Sequence, residues 1–160
     1  MRRLIIVFLL VGLSQLLSVS FVSAEPTQTR LKSAKTSMIG YIKNEDLVDM
    51  CGCTFEHRTS TRGNTFAADA SNEIAWMNID GEDVKLKLTR SRGSKVHRIG
   101  SRYTQTYEAE GVKALLVMIV NRLCIPYSPE CETTGYNVTI TVSKDTRRAT
   151  VKAKGQCGCV

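Results

Sequence analysis

Hydrophobic and polar positions divide the chain into three stretches of different character. The first runs almost without interruption from Leu4 to Leu17, behind Met1, Arg2 and Arg3. A cationic start, an apolar stretch too short to span a bilayer comfortably, and the small residues of Val22-Ser23-Ala24 follow in the order of a secretory signal peptide. The expectation is cleavage after Ala24, delivery to a secreted or periplasmic compartment, and no transmembrane segment afterwards. Residues 25 to 40 are dominated by Pro, Thr, Gln, Ser, Lys and Arg, too poor in apolar content to support a core, and predict a flexible linker. Residues 41 to 160 then form a single disulfide-bonded β domain. At its start Asn44 can cap a helix whose first turn is acidic, so Asn44 to Met50 predict one short helix.

From Asn64 onward the period falls to two. Glu73 to Ile79 and Asp83 to Thr89 flank Asp80-Gly81-Glu82 and predict a hairpin, with Val84, Leu86 and Leu88 alternating against Lys85 and Lys87. Ile74 and Trp76 share one face of its first strand and Ala75, Met77 and Ile79 the other, a pattern for a strand covered on both sides. Tyr103 to Ala109 and Val112 to Leu123 flank Glu110-Gly111 as a second hairpin. The run Ala114 to Val120 predicts a central, fully buried strand; a helix is the rival, disfavoured by the β-branched residues and the preceding turn. A third hairpin comes from Tyr136 to Val142 and Ala149 to Lys154. The class is mainly β: an antiparallel β-sandwich or small barrel of about six to seven strands, stapled by disulfides.

The staples come from Cys51, Cys53, Cys124, Cys131, Cys157 and Cys159, an even number in an exported chain. Cys124 and Cys131 bracket a proline-stiffened loop and predict a local bridge. The other four form two Cys-Gly-Cys units, one opening the β region and one ending it, expected to bond to each other. The first such bridge closes a loop of about a hundred residues, which the chain-entropy model values at roughly 4 to 5 kcal/mol. A second adds far less, because it closes only a small ring. The competing chemistry is a metal site of four thiolates or a redox-active Cys-Gly-Cys pair, although common zinc ribbons use wider spacing. No cofactor is implied.

Charge changes the picture in one window. The formal net charge is +7, including Arg2 and Arg3 of the signal. Between Asp83 and Glu108 no acid occurs, while Lys85, Lys87, Arg90, Arg92, Lys95, Arg98 and Arg102 do, with His97. Arg90, Arg92, Lys95, Arg98 and Arg102 are therefore the candidate binding residues, on a loop suited to an anionic envelope polymer or an acidic protein. No aromatic residue interleaves with them before Tyr103, and export adds to the case against nucleic acid. Catalytic motifs are absent, so no enzyme is expected; His57 lies between Glu56 and Arg58 without a partner motif, and Asp80, Glu82 and Asp83 are acids of a polar turn. Asn137-Val138-Thr139 matches a glycosylation acceptor in mid-strand.

Ala75-Trp76-Met77-Asn78-Ile79-Asp80-Gly81, the strand after it and the flanking Cys-Gly-Cys units resemble exported bacterial proteins of no assigned function, over residues 51 to 159. That resemblance implies no activity. Gly100-Ser101-Arg102-Tyr103 is similar to the Ser-Gly-x-x-Tyr-like loop of periplasmic inhibitors of C-type lysozyme, which are small disulfide-bonded β-barrels. It implies an alternative role as a lysozyme inhibitor.

Overall fold

The computed structural model describes residues 37–48, 51–59, 62–93, 98–124 and 132–159. They form a closed antiparallel barrel of eight strands in chain order. The strands are β1 (Cys51–His57), β2 (Asn64–Ala68), β3 (Ile74–Ile79), β4 (Glu82–Gly93), β5 (Arg102–Ala109), β6 (Val112–Arg122), β7 (Thr133–Lys144) and β8 (Arg147–Cys159). Each strand pairs with the next, and β8 returns to β1. The fold is thus mainly β and antiparallel as expected, but with eight strands, and it is a barrel and not a sandwich. The three predicted hairpins are β3–β4, β5–β6 and β7–β8. The two strands beyond them are β1 and β2: β2 begins at Asn64, where the period of two was expected to start, but four of its five residues are buried, on both faces, and β1 has a glycine at its second position.

Inward residues fill the interior with apolar side chains. Met77 and Ile79 of β3, Leu86 of β4, Leu116 of β6 and Ile140 of β7 are fully buried there. A run of aromatic contacts crosses the inside: Tyr103 to Tyr136 at 6.4 Å, Tyr136 to Phe55 at 6.5 Å, Phe55 to Phe66 at 5.4 Å and Phe66 to Tyr107 at 5.3 Å between ring centroids. An eight-stranded barrel is just wide enough for side chains to fill it, and these rings do so. Gly155 of β8 lies opposite both Phe55 and Tyr136. A Cβ there would overlap the Thr54 carbonyl oxygen and press on the Phe55 ring. Tyr107 is fully buried and its hydroxyl donates to the Asn72 carbonyl at 3.1 Å; burial, then the nearby Asp69 charge, pushes its pKa up.

Two expectations for single strands change. Ala114 to Val120 alternate, with Ala114, Leu116, Met118 and Val120 inside, Leu115 and Val117 half-buried outside and Ile119 exposed; a barrel strand has only one covered face. On β3, Ala75, Met77 and Ile79 point inward while Trp76 lies half-buried on the outer wall. That wall carries Lys85 and Lys87 of β4 and Lys152 and Lys154 of β8, all exposed. Apolar inside and charged outside is the reverse of a barrel built to cross a bilayer. Among the described residues no helix is long and apolar enough to cross a membrane.

The turns β3–β4, β5–β6 and β7–β8 gather at one end of the barrel, which a strap closes. Met38 and Ile39, placed in the linker by composition, are buried in the core. Asp80 N–H donates to the Met38 carbonyl, Gly40 N–H to the Asn78 carbonyl and Ile42 N–H to the Asn64 carbonyl, at 2.8 to 2.9 Å. The predicted helix from Asn44 is only a 3-10 turn, Glu45–Leu47, although Asn44 does cap it by accepting from Asp46 N–H. The strap's own bonds explain the short turn: Lys43 and Asn44 N–H both donate to Asp83 Oδ2, at 2.9 and 3.0 Å, and hold the chain to β4. Burial alone would raise the Asp83 pKa, but the Asn78 amide and those two N–H groups outweigh it and lower it. Across the same end Asp80 Oδ2 meets Arg147 at 2.6 Å and Lys144 at 3.0 Å, joining turn β3–β4 to turn β7–β8.

Gly155→Ala destabilises the barrel by about 3 kcal/mol, because a backbone oxygen and a core ring must move. Gly111→Ala, where a Cβ meets nothing but φ is 69°, costs about 1 kcal/mol. Urea titration of both variants measures the difference. Hydrogen bonds from Arg147 and Lys144 lower the Asp80 pKa from 3.8 to about 2. The folded pKa is depressed, so the stabilisation is present above 3.8 and is lost as pH falls through about 2. Asp80→Asn is therefore less stable than the parent at neutral pH, and the gap narrows as thermal melts are repeated from pH 4 toward pH 2.

Candidate functional site

The other end of the barrel holds the seam, where the last strand meets the first. Here the two Cys-Gly-Cys units face each other residue for residue: Cys51 opposite Cys159, Gly52 opposite Gly158, Cys53 opposite Cys157. Cys53 and Cys157 are joined by a disulfide across the ladder, with Cα atoms 4.0 Å apart. Cys51 is disulfide-bonded as well. The facing glycines have φ of 145° and 139°, a region that side chains resist. A Cβ on Gly52 would strike the Ala68 carbonyl oxygen, and one on Gly158 the Glu132 carbonyl oxygen. Neighbouring backbone therefore packs directly onto both motifs, which explains why glycine separates the cysteines. The expectation that the two units bond to each other holds for Cys53 and Cys157. With those sulfurs bonded to each other, neither is a thiolate able to ligate a metal. Among the described residues no group of three or more His, Cys, Asp or Glu side chains is placed to hold a metal ion. Cys124 is half-buried just past β6, and Cys131 lies outside the described residues.

The basic window is strand more than loop. Long alternating segments extend β4 to Gly93 and start β5 at Arg102, so Arg90, Arg92 and Arg102 stand on the barrel wall. The β4 register shifts between Leu88 and Arg90, leaving Leu88 inward opposite Tyr107 and Arg90 outward opposite Thr106. In an unbroken strand residues two apart share a face, so this bulge is what turns Arg90 and then Arg92 out to solvent. Arg92 lies opposite Thr104, and Arg102 opposite Ile119 of β6. Lys85 and Lys87 continue the outer row of β4. Glu108, opposite Lys87, forms its ion pair with Lys113 instead, at 2.8 Å. Among the described residues Arg90, Arg92, Arg98 and Arg102 make no ion pair with a carboxylate. Among the described residues carboxylate partners are thus missing for Arg90 and Arg92, about 7 Å apart along β4, and for Arg102 on the neighbouring β5.

Arg98 sits where the chain re-enters the wall; Lys95 and His97 lie outside the described residues. Arg98 N–H donates to Ser101 Oγ, and Gly100 N–H to the Val120 carbonyl at 2.8 Å, which pins residues 98–101 onto β6. Ile99 is left 66% exposed at the tip of this turn.

The remaining candidates have structural partners. Asp80 binds Arg147 and Lys144, while Asp83 binds the strap and Asn78, so the acids of that turn do not converge as a pair. His57 Nδ1 is taken up locally by Thr59, at 2.9 Å from its hydroxyl and 3.2 Å from its N–H. Asn137 is exposed on the outer face of β7. Sequence reasoning misses the bulges, which place arginines outside, because a one-residue register shift leaves no compositional mark.

Reducing Cys53–Cys157 together with the bridge at Cys51 lowers stability by about 4 to 5 kcal/mol, the value of reopening a hundred-residue loop. Urea titrations with and without reductant measure it; equal midpoints would contradict the staple's role.

No protein-family model, no curated protein and no solved structure matches the chain.

Proposed function

We propose that the chain is an exported, non-enzymatic binding domain that takes an anionic envelope polymer on the outer face of β4 and β5. The observation that carries this reading is the row Arg90, Arg92 and Arg102, exposed on rigid strands with no carboxylate partner among the described residues. Such a row keeps its field available to a ligand, and its regular strand spacing suits a polymer with repeated negative charges. The barrel interior is occupied by side chains, which moves recognition to the wall and the loops.

A second reading, inhibition of a lysozyme, is favoured by the pinned turn 98–101. It offers exposed Ile99 between Arg98 and Arg102, an apolar tip flanked by cations, which fits a protein groove lined by carboxylates such as a glycosidase cleft.

The test is binding of the mature protein to lipopolysaccharide, anionic wall fragments and C-type lysozyme, by thermal shift and pull-down. Exposed charge contacts contribute about 0.2 to 1 kcal/mol each, and reversal adds repulsion. Arg90→Glu, Arg92→Glu and Arg102→Glu combined therefore weaken polymer binding about tenfold or more, and added salt does the same to the parent. Unchanged binding in the triple variant would sink the polymer reading, and tight lysozyme binding lost on Ile99→Asp would favour the second.

A further inference from the structure

A second bulge, on β6, does for Arg122 what the first does for Arg90. The β6–β7 register shifts between Val120 and Arg122, so Val120 stays inward opposite Tyr136 while Arg122 turns outward opposite Gly135. The missing side chain of Gly135 makes the room. A Cβ there would lie 2.6 Å from Asn121 Oδ1 and 3.1 Å from Arg122 Cβ.

Once outside, the guanidinium is held in place by neutral groups. Arg122 Nη2 donates to Thr133 Oγ1 at 2.9 Å and to Gln156 Oε1 at 3.0 Å, and Thr133 Oγ1 donates in turn to Gln156 Oε1 at 3.0 Å. Orientation without neutralisation is the state of an arginine ready to take an anion, because the ordering entropy is already spent and the charge is intact. The side chain borders a cleft of about 370 Å³ on the outer wall of β6, β7, β8 and β1. Its side-chain lining is Thr54, Glu56, Asn121, Arg122, Lys154 and Gln156, over the backbone of Gly135 and Gly155. Glu56 and Lys154 are direct partners across the β1–β8 ladder. Among the described residues none of Arg122, Lys154 and Glu56 forms an ion pair.

We infer that this cleft binds a small monocarboxylate that also carries hydroxyl groups, a ligand of the acidic-sugar class. Two cations against one carboxylate leave a single positive charge, which one ligand carboxylate balances and a dianion would exceed. The planar guanidinium matches a carboxylate in geometry. The Thr54 hydroxyl and the Asn121 and Gln156 amides supply donors and acceptors for hydroxyls, and the volume suits one sugar ring. This site is separate from the β4–β5 row and does not depend on what that row binds.

The experiment is a titration of the full mature protein with sodium D-glucuronate, followed by amide chemical shifts, with D-glucose and acetate as controls. Saturable shifts at Gly135, Gly155 and Gln156 are expected, with glucose and acetate each at least about tenfold weaker. Arg122→Gln weakens glucuronate binding by about tenfold or more, and Lys154→Gln, which removes a side chain with no structural bond in this network, weakens it severalfold. Glu56→Gln strengthens it. Arg90→Glu with Arg92→Glu leaves it unchanged, which separates failure of this site from failure of the β4–β5 face. Absence of saturable shifts at those amides in the folded parent, equal binding of glucose, or undiminished binding by folded Lys154→Gln overturns the inference.

Discussion

A meander of eight strands becomes a barrel only when its last strand finds its first, and that contact is the constraint on which the rest of this structure depends. It joins residues 104 apart at Cys53 and Cys157, so it carries the largest loop-closure cost in the ladder scheme. The two Cys-Gly-Cys motifs meet this cost with a covalent bond and also define the register, because Cys53 bonds Cys157 only when Gly52 faces Gly158. Register matters because a slip of one residue would turn every β8 side chain to the other face. Val151 and Ala153 would then leave the core, and Lys152 and Lys154 would enter it.

Closure in that register explains the interior. It brings Gly155 beneath Phe55 and Tyr136, and the vacancy of its side chain admits the rings that link β5, β7, β1 and β2 across the barrel. A filled interior in turn pushes recognition onto the outer wall. There the two bulges near the seam end have the same effect: each turns an arginine that alternation would bury out to solvent, Arg90 on β4 and Arg122 on β6. The opposite end is closed by other means, with Met38 and Ile39 in the core, Asp83 holding the strap, and Asp80 joining two turns. One end of the barrel is therefore fastened by sulfur and the other by hydrogen bonds and charge.

The strong alternators were legible in the sequence. Val84, Leu86 and Leu88 against Lys85 and Lys87 give β4, and Tyr136 to Val142 gives β7, because one wet face and one dry face write a period of two. The facing of the Cys-Gly-Cys units was legible from their placement at the two ends of the β region. β1 and β2 were not, since a glycine interrupts one and Thr65 and Ala67 on the outer face of the other are as buried as Phe66 inside. The doubly covered strand expected at Ala114 to Val120 fails for the same reason: apolar content is not burial, and Ile119 is 42% exposed. For the candidate site, the acid-free window marks the cations, but their place on strands and not on a loop depends on β4 and β5 running past the turn signals. Arg122, Thr133 and Gln156 had no signature, because their meeting requires both a register shift on β6 and closure of three strands.

The β1–β8 seam, fixed by the Cys-Gly-Cys pair, holds the barrel closed. Amide hydrogen exchange of the oxidised and reduced protein, resolved strand by strand, tests it most directly. Reduction is expected to speed exchange first and most at the β1–β8 ladder, with β4, β5 and β6 keeping more of their protection. Uniform acceleration across all strands, or an unchanged β1–β8 ladder in fully reduced protein, would contradict it.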